Sequence, residues 1–158
     1  MERDFTSSAD LDFASDAASG KAYGGLLGGE WFAGTWIQEQ NDWSMPCQEL
    51  FPIFVAVRLW AKRWTGKRVL VYCDNLPTVL FLIKCYTSKE PAASMLRGVV
   101  REAMSHNFLM RASHIPGKLN VFADLISRQK IAEFLAMCAY ANRAPVSIPL
   151  DLERFGCS

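Results

Sequence analysis

The chain has 158 residues and a mass of 17.7 kDa, and 51% of it is hydrophobic and 12% aromatic. That is one domain's worth of chain with enough apolar mass for a real core, which excludes a disordered polar tract. Seventeen basic residues against sixteen acidic ones leave a formal net charge of +1, so a polyanionic partner would have to be held by local charge.

Met1 to Ala9 reads as a polar lead-in. In Leu11 to Asp16 the apolar Leu11 and Phe13 alternate with Asp12 and Ala14, which predicts a half-buried strand closed by Asp16. Lys21–Leu27 and Glu30–Ile37 read as two more strands joined by a tight turn at Gly28-Gly29. Ser44 and Pro46 open a long helix to Trp64, apolar round much of its circumference, with Glu49 near its start and Pro52 in its second turn. Gly66 ends it, and the unbroken apolar run Val69 to Cys73 predicts a central strand covered on both faces and closed by Asp74. A short helix over Leu76–Cys85 follows, then one from Pro91 to about His106, a fifth strand over Phe108–His114, and a glycine loop leading into a helix that carries Asp124. Ile131–Tyr140 predicts a last helix, and Ala144–Pro149 an extended linker.

This order, β-β-β-α-β-α-α-β-α, predicts an α/β fold of the ribonuclease H-like kind: a mixed five-stranded sheet, three strands antiparallel and two parallel, with helices on both faces. The domain proper spans 10–130, between the lead-in 1–9 and a C-terminal helix and proline-containing tail over 131–158.

Strands ending at Asp16 and Asp74, placed side by side, would bring those two acids together, and Glu49 and Asp124 are candidates for the same place. Singly, each suits a turn, a helix cap or an exposed helix position. Jointly, each carboxylate pair about 4 Å apart would cost roughly 4 kcal/mol at an effective dielectric of about 20. Such a cluster is sensible as a divalent-cation site, and an all-oxygen donor set favours magnesium or manganese. Basic residues for a polyanion are Lys62, Arg63, Lys67 and Arg68 around one turn, Arg97 and Arg101 a helical turn apart, and Lys118, Arg128 and Lys130 near Asp124.

The five cysteines show no Cys-x-x-Cys spacing, and their number is odd. With no signal-peptide core and no apolar stretch of membrane-spanning length, the expectation is an intracellular protein, cytoplasmic or nuclear, not secreted and without membrane contact.

Ser15-Asp16-Ala17 followed by Tyr23-Gly24-Gly25, then Glu49-Leu50, Cys73-Asp74-Asn75, and the run His114-Ile115-Pro116-Gly117 to Asn120 and Ala123-Asp124 resemble the ribonuclease H domain of retroelement reverse transcriptases. Glu49 to Ile53, Trp64 to Val69 and Leu125-Ile126-Ser127-Arg128 are similar in particular to the DIRS and Ngaro type of tyrosine-recombinase retrotransposon. Phe134, Ala141, Pro145, Ile148 and Pro149 are similar to the stretch that follows the domain in those polyproteins. The resemblance implies an endonuclease that cleaves the RNA strand of RNA–DNA hybrids with two Mg2+ (or Mn2+) ions, next to a polymerase domain of the same polyprotein. It implies Asp16 and Asp74 as central metal ligands, Glu49 and Asp124 as the outer ones, and His114 as the loop histidine that assists release. Ser19, Gln48, Asn75 and Asn120 are candidate substrate contacts. The alternatives are a non-catalytic nucleic-acid-binding module derived from a retroelement and an integrase- or transposase-type nuclease. Against the last stands the order Asp, Glu, Asp, Asp, since those enzymes end their set with a glutamate.

Overall fold

The computed structural model describes residues 10–157, with only the backbone of residues 10 and 11, so the lead-in lies outside the described residues. Five strands, β1 (Asp10–Ala18), β2 (Ala22–Leu27), β3 (Glu30–Thr35), β4 (Arg68–Cys73) and β5 (Leu109–His114), form one sheet in the order β3-β2-β1-β4-β5. The β1–β2 and β2–β3 pairs are antiparallel, and the β1–β4 and β4–β5 pairs are parallel. The helices are α1 (Gln38–Asn41), α2 (Met45–Trp60), α3 (Leu76–Lys84), α4 (Ala92–His106), α5 (Val121–Ser127), α6 (Ile131–Met137) and α7 (Leu150–Glu153). None of them is long and apolar enough to cross a membrane.

Strand alternation divides β1 between two layers. Phe13, Ser15 and Ala17 are buried beneath α2, and Asp16 points the other way, toward α5. The strand continues two residues past Asp16, so this acid sits within the ladder opposite Gly24 instead of closing the strand. The helix α2 is buried at every position from Cys47 to Val57 because the sheet lies on one side of it and α4 on the other. It runs through Pro52 and tightens to a 3-10 turn at Ala61–Trp64.

On the second face α5 packs on β1 and β2. That contact requires Gly24, where a Cβ would lie 2.2 Å from the Cγ2 of Ile126. The expectation that β4 is covered on both faces needs correction. Val69, Val71 and Cys73 are fully buried, whereas Leu70 and Tyr72 on the α5 side are half-buried, because α5 sits over β1 and β2.

The segment after α6 is extended, as its prolines predict, and it packs back onto the fold. Val146 donates its N–H to the Trp31 carbonyl of edge strand β3 (2.7 Å), Leu152 is buried, and the Phe155 ring lies 4.8 Å from that of Phe54. Buried Gln40, in a helix the sequence did not announce, donates to the carbonyls of Glu153 and Phe155, both at 3.0 Å. Phe155→Ala removes this aromatic anchor and is expected to cost about 2 kcal/mol, because the ring is only partly buried. Denaturant unfolding measures the cost, and a change below about 0.5 kcal/mol would show the tail to be an ornament.

Candidate active site

In the parallel β1–β4 pair Ala14 stands beside Tyr72, so two residues further on Asp16 stands beside Asp74, the first residue beyond β4. Glu49, in the first turns of α2, reaches across the ends of these strands. Its Oε1 accepts the Ala17 N–H at 3.3 Å and its Oε2 the Cys73 thiol at 3.8 Å. Ligand atoms of Glu49, Cys73 and Asp74 lie within 4.8 Å of one another. On α5, Ser127 donates to Asp16 Oδ2 at 2.7 Å, one helical turn from Asp124, whose charge acts on both Asp16 and Asp74. The four acids of the sequence reading thus meet at one end of the sheet.

Their electrostatics follow from that crowding. Burial, with the charge of Asp74 and Asp124 added, pushes the Asp16 carboxyl up to about 6, against the Ser127 hydrogen bond that lowers it. Glu49 is only 2% exposed, and burial, then Asp16 and Asp74, push it up to about 10. Asp74 is raised for the same first reason. Among the described residues the one ion pair at the cluster is Arg128 Nε to Asp124 Oδ1 at 2.9 Å. Oxygen-rich, crowded and short of positive charge, this donor set fits hard divalent cations. The Cys73 thiol beside it is held protonated by burial and leaves the carboxylates as the donors.

The remaining candidates divide. His114, exposed at the end of β5, places Nε2 3.2 Å from the Asp74 carbonyl and so flanks the cluster. Ser19 is exposed in the turn after β1. Asn75 caps α3, its Oδ1 accepting from the Thr78 N–H at 3.1 Å and the Thr78 hydroxyl at 2.9 Å. Gln48 and Asn120 need correction as substrate contacts. Gln48 is 1% exposed and donates to the Gln40 carbonyl at 3.1 Å, and Asn120 is 3% exposed and donates to the Ser15 carbonyl at 2.9 Å. Asn120 thereby ties the start of α5 to the residue before Asp16, which is a positioning role.

Of the basic groups, Lys67 and Arg68 stand at the opposite end of β4 from Asp74, about 20 Å away by strand rise, so they do not line this cluster. Arg97 pairs with Glu90 at 3.1 Å. Sequence reasoning missed Ser127 and Cys73 as members of the site. The visible signals were the three-residue spacing from Asp124 to Ser127 and the adjacency of Cys73 to Asp74.

No protein-family model and no curated protein matches the chain. Solved structures are similar in fold. The ribonuclease H1 of the halophilic archaeon Halobacterium salinarum NRC-1 aligns with a TM-score of 0.61 at 13% identity, over 78% of this chain and 98% of that one. LC11-RNase H1, in a complex with an RNA/DNA hybrid, aligns with a TM-score of 0.62 at 16% identity, over 79% and 99%. The N-terminal RNase H domain of rv2228c from Mycobacterium tuberculosis, solved as a fusion with maltose binding protein, aligns with a TM-score of 0.60 at 13% identity, over 79% and 97%. The chain therefore has the ribonuclease H-like fold.

Proposed function

We propose that this domain hydrolyses the RNA strand of RNA–DNA hybrids, as the ribonuclease H unit of a DIRS- or Ngaro-like retroelement polyprotein that also carries a polymerase domain. The observation that carries the reading is the convergence of Asp16, Glu49, Asp74 and Asp124, from four separate segments, on one end of the sheet. A fold neighbour that holds an RNA/DNA hybrid supports the substrate class.

Asp16 and Asp74 would hold both divalent cations, Glu49 one of them and Asp124 the other. When bound, such ions supply an activated water and neutralise the leaving oxygen, giving a 3′-hydroxyl and a 5′-phosphate. The chain's own residues prepare for this. Ser127 orients the Asp16 carboxylate, Asn120 anchors the strand beneath it, and Arg128 restrains Asp124. Ser19, exposed in the turn three residues after Asp16, is our candidate to meet the 2′-hydroxyl, the group that distinguishes RNA from DNA.

Incubation with hybrid labelled on either strand tests the reading. We expect magnesium- or manganese-dependent cutting of the RNA strand alone. Hybrid left whole in both metals at excess protein would sink the proposal. His114→Ala is expected to slow turnover severalfold without weakening hybrid binding. A fall in melting temperature with turnover unchanged would make the histidine structural instead.

A further inference from the structure

A cleft lies at the end of the sheet away from the carboxylates. It encloses about 650 Å³, within the range of about 300–1,000 Å³ usual for small-ligand sites. Asp12, at its wall, is four residues before Asp16 on β1, which sets the two sites about 13 Å apart along the strand. Its other walls are the Gly28-Gly29 turn between β2 and β3, the 3-10 turn bearing Arg63 and Trp64, Lys67, and the tail residues Tyr140 and Asn142.

Two aromatic residues line this wall. The Trp64 side chain is fully buried, and its indole N–H meets no acceptor, a loss that a folded protein normally avoids. Tyr140 leaves 60% of its surface exposed, and its ring lies 6.3 Å from that of Phe122 at an angle of 78°. Gly29 brings backbone against backbone here, since a Cβ would lie 2.7 Å from the Tyr140 carbonyl oxygen. Charge is divided across the cleft. Arg63 is bridged to Glu30, while Lys67 and Asp12 stand on the wall as a separate cation and anion.

We propose that this cleft is a nucleotide-binding site separate from the carboxylate cluster, taking one base and its phosphate, either as a free nucleotide or as a nucleotide of a single strand. The base stacks on Tyr140, with Asp12 and Asn142 beside it as hydrogen-bonding partners for its edge. Lys67 takes the phosphate, with Nη2 of Arg63, whose Nη1 bridges to Glu30. This absorbs the basic turn that the sheet keeps remote from the cluster. It stands whether or not the domain cleaves hybrids.

The test is binding to the metal-free full chain, followed by calorimetry, with adenosine monophosphate and with single-stranded oligonucleotides carrying or lacking a terminal phosphate. We expect one site, weakened about tenfold or more by Lys67→Glu and by Tyr140→Ala, and unchanged by the charge reversal Arg154→Glu after α7. Tighter binding of the oligonucleotide than of the mononucleotide would identify a strand as the source, and the reverse a free nucleotide. Absence of binding by all probes overturns the proposal, as does binding that survives both cleft variants. Circular dichroism of the two variants establishes that they remain folded.

Discussion

Asp74→Asn is expected to abolish cleavage, by about 10³-fold or more, which corresponds to roughly 4 kcal/mol of barrier. The reason is positional. Asp74 leaves β4 beside Asp16 and within 4.8 Å of Glu49 by its ligand atom, so it stands between two of the other acids of the cluster. An amide keeps the shape and removes the charge that holds a cation. In the absence of metal the same change is expected to leave the fold intact or raise its melting temperature, because a like charge beside Asp16 and Glu49 has gone. Gel assays on labelled hybrid and thermal melts with and without magnesium separate the two effects. A variant as active as its parent would remove Asp74 from the mechanism, and a variant that melts far lower without metal would make it a structural residue.

The second large effect is on stability against pH. The Asp16 carboxyl is raised from an ordinary 3.8 to about 6 by burial, and Glu49 from 4.5 to about 10. A carboxyl raised by folding contributes stability that is complete below its unfolded value and is lost as pH climbs through the folded one. The metal-free protein is therefore expected to lose stability from about pH 4 upward through 6, about 3 kcal/mol from Asp16 alone. Glu49 continues the loss toward alkaline pH. Magnesium is expected to restore the melting temperature at pH 8 and to do little at pH 4, where protons already occupy the acids. Asp16→Asn should flatten the profile. A metal-free protein more stable at pH 8 than at pH 5, or a magnesium effect equal at both, would show that the acids are not crowded as described.

The element order and the four acids were legible because the signals are local. Alternation around Phe13 marks a half-buried strand, the apolar run to Cys73 marks another, and the charge of Asp16 or Asp74 stands out against each, although β1 runs two residues past Asp16. Coverage of β4 was misread, since an apolar run is compatible with one buried face or two. Which holds depends on where α5 lands, and that is governed by the close approach of Ile126 to Gly24, a contact between residues a hundred positions apart.

The same limit applies within the site. Gln48 and Asn120 carry amides that suit a substrate as well as a backbone carbonyl, and residue type does not distinguish the two uses. Burial does, and burial is a property of the packed chain. The tail shows it again, for proline and polar residues mark an extended path without saying that Gln40 and Phe54 will hold it down. Local periodicity sufficed for the strands, the longer helices and their acids, but not for the short α1 and α7, because strand and helix repeats depend on neighbours in the chain. Convergence, burial and the basic turn's removal to the far end of the sheet came only from long-range packing, which depends on how those elements close on one another.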